Sequence, residues 1–363
     1  MNIFVALMLI FAAIGLLDKI LGGKLGFAPD FDKGLTTMGG LALSTVGFYS
    51  IGVSYVQNHA EEIAGAAENM PFDPSLVLGC LLAPDMGALG VAQRLAATPQ
   101  IAVFTGAMVA GGLGATIGYQ LPVFLAALEK GEIPELMRGF IFGLITLPAG
   151  LAVGGCMLGL PPADMFFNMI PVLAVCIVLI AAFSIYPGCT MKILILLGNL
   201  IRIASFILFG IAVFSVFMPE YAFVESELVS EMLYMVLRMV IVACGGLVLS
   251  HIALDRLRGP IEKAGRMLGV NNESVIGLVL SCTQSLAMLP LFSRMDRRGK
   301  IINAAFSVAG AYVVGGQMAF VASLVPSSFL TAYIANKLIA GCLAVVVALV
   351  FHRRAVSKQQ VSD

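Results

Sequence analysis

Apolar residues run along most of this chain for twenty or so positions at a time, without the strict alternation of a half-buried strand or the polar stripe of a surface helix. About 20 such residues are needed to carry a helix across a bilayer core. The segments that qualify or nearly do are Ile3–Leu21, Gly34–Val56, Ile101–Leu125, Gly139–Gly159, Met165–Tyr186, Ile193–Phe217, Met232–Leu254, Ile301–Leu324 and Leu330–Phe351. Two further apolar segments, Leu76–Val91 and Val275–Phe292, are shorter and have polar centres, Pro84-Asp85 in one and Thr283-Gln284-Ser285 in the other. The pattern predicts an all-α polytopic membrane protein with about nine full spans plus two re-entrant broken-helix hairpins, at 75–93 and 274–292. Eleven full spans are the alternative.

The stretch LGCLLAPDMGALGVAQR, Leu78 to Arg94, is the one around which the rest is organised. An acid at the centre of a membrane helix costs roughly 2.5–3.5 kcal/mol on insertion scales, so Asp85 is expected to face a cavity, a partner or a ligand. Pro84 removes a backbone donor and disfavours helical geometry at Ala83, and Gly79, Gly87 and Gly90 loosen both flanks. Broken helices at membrane depth are tolerated where they line a cavity, and in secondary transporters they hold substrate or coupling ion. The plainer alternative is a kinked span in which Asp85 only pairs with an arginine such as Arg202 or Arg238.

Charge between the spans bears on topology. Arg256, Arg258, Lys263 and Arg266 make the loop before Val275–Phe292 net basic, and Arg294, Arg297, Arg298 and Lys300 do the same for the loop after it. Basic loops stay cytoplasmic, so this segment is expected to leave on the side from which it came. The tail, with Arg353, Arg354 and Lys358, is basic too, whereas the loops around Glu61, Glu62 and Glu68 and around Glu220 to Glu231 are acidic. Ser75–Gly90 laid over Ser274–Leu289 sets Asp85 against Gln284, and the same offset carries Gly34–Val56 close to Met232–Leu254. The expected organisation is a first repeat at 1–160, a connecting span at 161–191, an inverted second repeat at 192–352 and a cytoplasmic tail at 353–363, with the N-terminus outside. Ile3–Leu17 lacks a basic leader and a small-residue cleavage site, and reads as the first span.

Composition narrows the class. The chain of 363 residues is 60% hydrophobic and only 12% charged, with mean hydropathy +0.99, against about 25% charged for soluble domains. Its 21 basic and 21 acidic residues balance, which offers no basic surface to nucleic acid. Seven cysteines without a CxxC pair read as small core hydrophobes. HExxH, P-loop and GxSxG patterns do not occur, which argues against a metalloprotease, an ATP-driven pump or a hydrolase. No enzyme activity, metal or cofactor is expected.

The strings GLTTMGGLALSTVG, LLAPDMGALGVAQRLA and MDRRGKIINAAFSVAGAYVVGGQMAF resemble the EutH-type ethanolamine permease family of the bacterial ethanolamine-utilisation pathway, over most of the chain. The Asp85–Gly87 run and the MDxRGKxIN run from Met295 to Asn303 match the family pattern. The chain departs from it at Gln284-Ser285, where paired asparagines are expected, and at Gly315-Gly316-Gln317, where Gly-Asp-His is expected. The resemblance implies a multi-pass permease or facilitator of the bacterial inner (plasma) membrane, carrying ethanolamine or a closely related small amine.

Ethanolamine is an ammonium at neutral pH and needs a carboxylate, hydroxyl or amide oxygens, and helix C-terminal carbonyls. The expected substrate-binding set is Asp85, Met86, Gly87, Thr116, Thr283, Gln284, Ser285 and Gln317, with alternating access around a midplane site. Tyr119 and Tyr312 could add cation–π attraction but fit packing roles better. Gly111-Gly112-Leu113-Gly114 reads as a packing run. The partners expected are a small amine and the lipid bilayer, with a homo-oligomer left open. The alternatives are a carrier of a different small cationic or polar metabolite, or a non-transporting membrane subunit.

Overall fold

The structure is a computed structural model that describes residues 3–67, 70–256 and 258–362, and every regular element among them is helical. The side chains of 352–362 lie outside what is described, as do those of Asp255 and Arg258, and so does Glu68. The basic tail (Arg353, Arg354, Lys358) and part of the first basic loop therefore fall there.

Helix α1 (Ile3–Ile20) leads into α2 (Ala28–Asn58) through a turn organised by the buried Asp18. Its carboxylate accepts the Leu25, Phe27 and Ala28 amides at 2.6, 2.7 and 2.9 Å, capping orphan donors at the start of α2. After α3 (Ala60–Ala67) come the short helices α4 (Ser75–Leu81) and α5 (Ala88–Leu95), separated by a break. A rod follows, built of α6 (Pro99–Val103), the π-helical stretches Phe104–Gly114 and Thr116–Gln120, and α7 (Leu121–Ala127). It is buried through its apolar length. Then come α8 (Ile133–Met157), α9 (Pro162–Ile185), α10 (Pro187–Phe217), α11 (Ser226–Arg256), α12 (Arg258–Leu268), α13 (Asn272–Thr283), α14 (Leu289–Phe292), α15 (Arg297–Ala309), α16 (Gly316–Leu324) and α17 (Ser327–Ser362).

Among the described residues seven helices are long and apolar enough to cross a membrane: 28–58, 99–127, 133–157, 162–185, 187–217, 226–252 and 327–351. Helices α9 and α10 leave most of their apolar residues uncovered, as lipid-facing helices do. One expected span is not a single helix. The apolar run Ile301–Leu324 divides into α15 and α16 around Gly310–Gly315, where Tyr312 takes a left-handed φ of 64°. The divided segment is held by backbone pairing, with the Tyr312 and Val314 amides donating to the carbonyls of Ser281 and Cys282 at 3.1 and 3.0 Å. The run looks continuous in sequence because nothing in GAYVVGG is charged.

Both broken helix pairs have their two ends tied together by a carboxylate. Asp73 accepts the Ser75 amide at 3.0 Å at the start of α4 and the Ala97 amide at 2.9 Å just past α5. Asp296, past α14, accepts from the Asn271 amide at 3.1 Å and the Ser274 hydroxyl at 2.8 Å, and Asn271 Nδ2 donates to the Arg294 carbonyl at 2.8 Å. Each pair thus ends beside the point where it begins.

The element order from α1 to α8 also recurs from α10 to α17, with α9 between. A long helix, a short amphipathic one, a broken pair and a rod or divided rod lead into another long helix in both. The packing crosses over in kind: α1 lies on α11, α10 lies on α2, and α8 lies on α17. Helix α8 also packs on α15, and close approach there relies on small residues. A Cβ at Gly139 would overlap the Ile301 carbonyl and Ala304, and one at Gly143 would overlap Val308.

Candidate functional site

The first break places Asp85. Leu82 and Ala83 are extended, Pro84–Met86 form a single tight turn, and Gly87 takes φ 98° before α5 starts. A Cβ at Gly87 would lie 3.2 Å from the Phe48 carbonyl carbon and oxygen on α2, so the position needs glycine for both conformation and clearance. The turn lifts Asp85 out of helical register, half-buried between buried Pro84 and Met86.

Four side chains from the second half of the chain converge on this carboxylate. Gln317, at the start of α16, reaches it as a hydrogen-bond partner, and Lys337 of α17 supplies the nearby positive charge. Tyr333, one turn before Lys337, donates its hydroxyl to Gln317 Oε1 at 2.9 Å. The Lys337 ammonium donates to the Gly111 carbonyl and sits 5.9 Å from the Tyr333 ring centroid. Tyr312, whose hydroxyl meets Ser285 Oγ at 2.7 Å, is within electrostatic range of Asp85, as is the partly exposed Tyr119. Gly111 is the hub. A Cβ there would stand 3.1 Å from Gln317 Oε1 and 3.3 Å from both Lys337 Cε and Tyr333 Cε2.

Lys337 lies near the middle of the apolar stretch Ser327–Phe351, and Gly111 near the middle of Pro99–Ala127. The cluster therefore sits midway along the helices that are long enough to span. In that low-dielectric setting an acid and a base that compensate each other are far less costly than either alone. The arrangement offers one half-buried carboxylate as an anionic acceptor, with an amide, three phenolic hydroxyls and aromatic faces around it, which suits a small cation carrying a polar group.

The structure brings some of the expected residues together and not others. Asp85, Met86 and Gly87 form the turn, Gln317 reaches the carboxylate, and Ser285 joins through Tyr312. Gln284 is the half-buried extended residue at which the second break opens, just before the turn Ser285–Met288. Thr283 points to α11, where its hydroxyl lies 3.2 Å from that of Ser250. Thr116 is buried in the rod with its hydroxyl unbonded. The proposed arginine partners of Asp85 are corrected. Arg202 and Arg238 are exposed, with Arg238 lying over Tyr234, because their long side chains reach outward along their helices. Lys337 and Tyr333 are absent from the set expected from sequence, although a lysine amid the apolar run Leu330–Phe351 is the same kind of signal as Asp85.

The family model described as "Ethanolamine utilisation protein, EutH" matches residues 1–351. The "Probable ethanolamine permease EutH" of Listeria monocytogenes is 29% identical, covering 100% of this chain and 97% of that protein. The protein of the same name from Salmonella typhimurium is 26% identical over 96% of this chain and 94% of its own length. YxeR of Bacillus subtilis, named only as uncharacterized, is 28% identical over 95% and 93%. No solved structure matches. A match that runs through both broken helix pairs and every residue of the carboxylate cluster identifies the lineage: the chain belongs to the EutH family.

Proposed function

We propose that this chain is an inner-membrane permease for ethanolamine or a closely related small amine, with Asp85 receiving the ammonium. The observation that carries the reading is the half-open Asp85 carboxylate in a broken helix midway along the spans, facing Gln317, Lys337 and the Tyr312–Ser285 pair. A scaffold subunit has no use for such a group, and the relatives named as probable ethanolamine permeases support the substrate class. Ser285, Gln284 and the phenols are the candidates for the substrate hydroxyl. Saturable uptake of labelled ethanolamine into proteoliposomes holding the purified chain is the expected result. No uptake by correctly inserted protein would end the reading. A site built for a hydroxyl leaves its own polar groups unpaired when that hydroxyl is missing, at about 1–3 kcal/mol, so ethylamine should compete about tenfold less well or worse. Equal competition by ethylamine would point to a carrier of another small amine.

The same reading takes α4–α5 and α13–α14 as re-entrant hairpins that come from opposite faces in an inverted repeat. The carboxylate ties at Asp73 and Asp296 support it, because a segment whose ends meet does not cross the bilayer. The recurring element order and the crossed packing of α1 on α11 and α10 on α2 support the repeat. Single cysteines at the exposed positions Asn272 and Ser293, in a cysteine-free background, should both be labelled from the cytoplasm. Those at Glu62 and Thr98 should both be labelled from outside. Labelling of Asn272 and Ser293 from opposite sides would replace the second hairpin with a full span.

A further inference from the structure

Lys337 is wholly buried, yet among the described residues no carboxylate is in direct contact with its ammonium. It donates to the Gly111 carbonyl, lies by the face of Tyr333, and reaches Asp85 through its charge. Both of its immediate partners are neutral, and the butyl stem of a lysine lets the ammonium swing by several ångströms. Asp85 is half-buried, with Gln317 as a hydrogen-bonding neighbour, itself held by Tyr333, one turn before Lys337 on α17. The lysine, the tyrosine and the glutamine thus form one unit around Gly111, with the positive charge carried on a flexible stem beside the carboxylate.

We propose that Lys337 is a resident cation that takes the place of the substrate ammonium at Asp85 when the site is empty, and so allows the unloaded carrier to reorient. An alternating-access carrier closes over its site twice per cycle, once loaded and once empty. With substrate bound, the ammonium compensates Asp85. On the empty return the carboxylate would be enclosed alone in a low-dielectric interior, a state that is strongly disfavoured. A tethered ammonium removes that penalty. The inference rests on the permease reading above, and it assigns Lys337 to the return step rather than to recognition.

The test separates the two steps in proteoliposomes. Net uptake down an ethanolamine gradient needs the empty return, whereas exchange of labelled for unlabelled ethanolamine across preloaded vesicles needs only the loaded one. Lys337→Met keeps the apolar stem and removes the charge. It should lower net uptake relative to exchange by about tenfold or more, and Lys337→Arg should keep the two closer together than Lys337→Met does. A parallel fall of net uptake and exchange in Lys337→Met, or no fall in either, overturns the proposal. Lys337→Gln is the second variant should Lys337→Met fail to fold. If neither gives a monodisperse protein, Lys337 is a structural residue and the proposal is wrong. Absence of both net uptake and exchange in the unmodified protein would instead remove the permease reading itself.

Discussion

Asp85→Asn should reduce ethanolamine uptake by about thirtyfold or more while the protein still inserts and purifies as a single species. Removing one partner of a buried, hydrogen-bonded charge pair costs about 2–5 kcal/mol, and each 1.4 kcal/mol is about a factor of ten. The asparagine keeps the shape and can still meet Gln317, so the turn at Pro84–Met86 should survive. Its effect is enlarged by Lys337, which becomes an uncompensated positive charge beside the site and repels the incoming ammonium. Asp85→Glu, with the charge kept and its position moved, should fall between the two. Uptake in proteoliposomes, normalised to protein incorporated, reads the result, and near-normal uptake by Asp85→Asn would take Asp85 out of the site.

The second large effect concerns Gly315. An added Cβ would overlap the Thr283 carbonyl oxygen, where the divided helix crosses the end of α13, and the atoms involved are backbone rather than a side chain that can turn away. Gly315→Ala should therefore destabilise the protein by about 1–3 kcal/mol and lower its thermal unfolding temperature in detergent. It should also cost uptake, because the strained segment carries Tyr312 to Ser285. At the neighbouring Gly316 an added Cβ would meet nothing within 4 Å, so Gly316→Ala should leave unfolding unchanged. Equal behaviour of the two variants would show that the crossing at Thr283 is not tight.

Several of these features can be read from residue order alone, and the reasons are physical. Asp85 stands out because a charge in an apolar run is expensive wherever the helix lies, and Pro84 beside it marks the break. The break before Ser285 is readable for a similar reason, since three polar residues interrupt an apolar stretch. The break inside Ile301–Leu324 is not. It is made by glycines and by pairing of Tyr312 and Val314 with carbonyls of α13, a contact between segments about thirty residues apart that no local pattern announces. The arginines at 202 and 238 draw attention as charges within spans, but side-chain length lets them reach outward, which sequence does not record. Lys337 carries the same kind of signal with the opposite sign, and in the folded chain it is the charge that reaches Asp85. Gly111 reads as packing and does pack. What it packs against, Gln317, Tyr333 and Lys337, is the wall of the site, and that follows only from the folded arrangement of the rod against α16 and α17.

Equilibrium binding of labelled ethanolamine to the detergent-purified protein, measured side by side for the unmodified chain and Asp85→Asn, tests the central claim without depending on orientation or on the transport cycle. The account predicts saturable binding by the unmodified chain, competed by unlabelled ethanolamine more strongly than by ethylamine, and loss of that binding in Asp85→Asn. Saturable binding of the same strength in both proteins would contradict it.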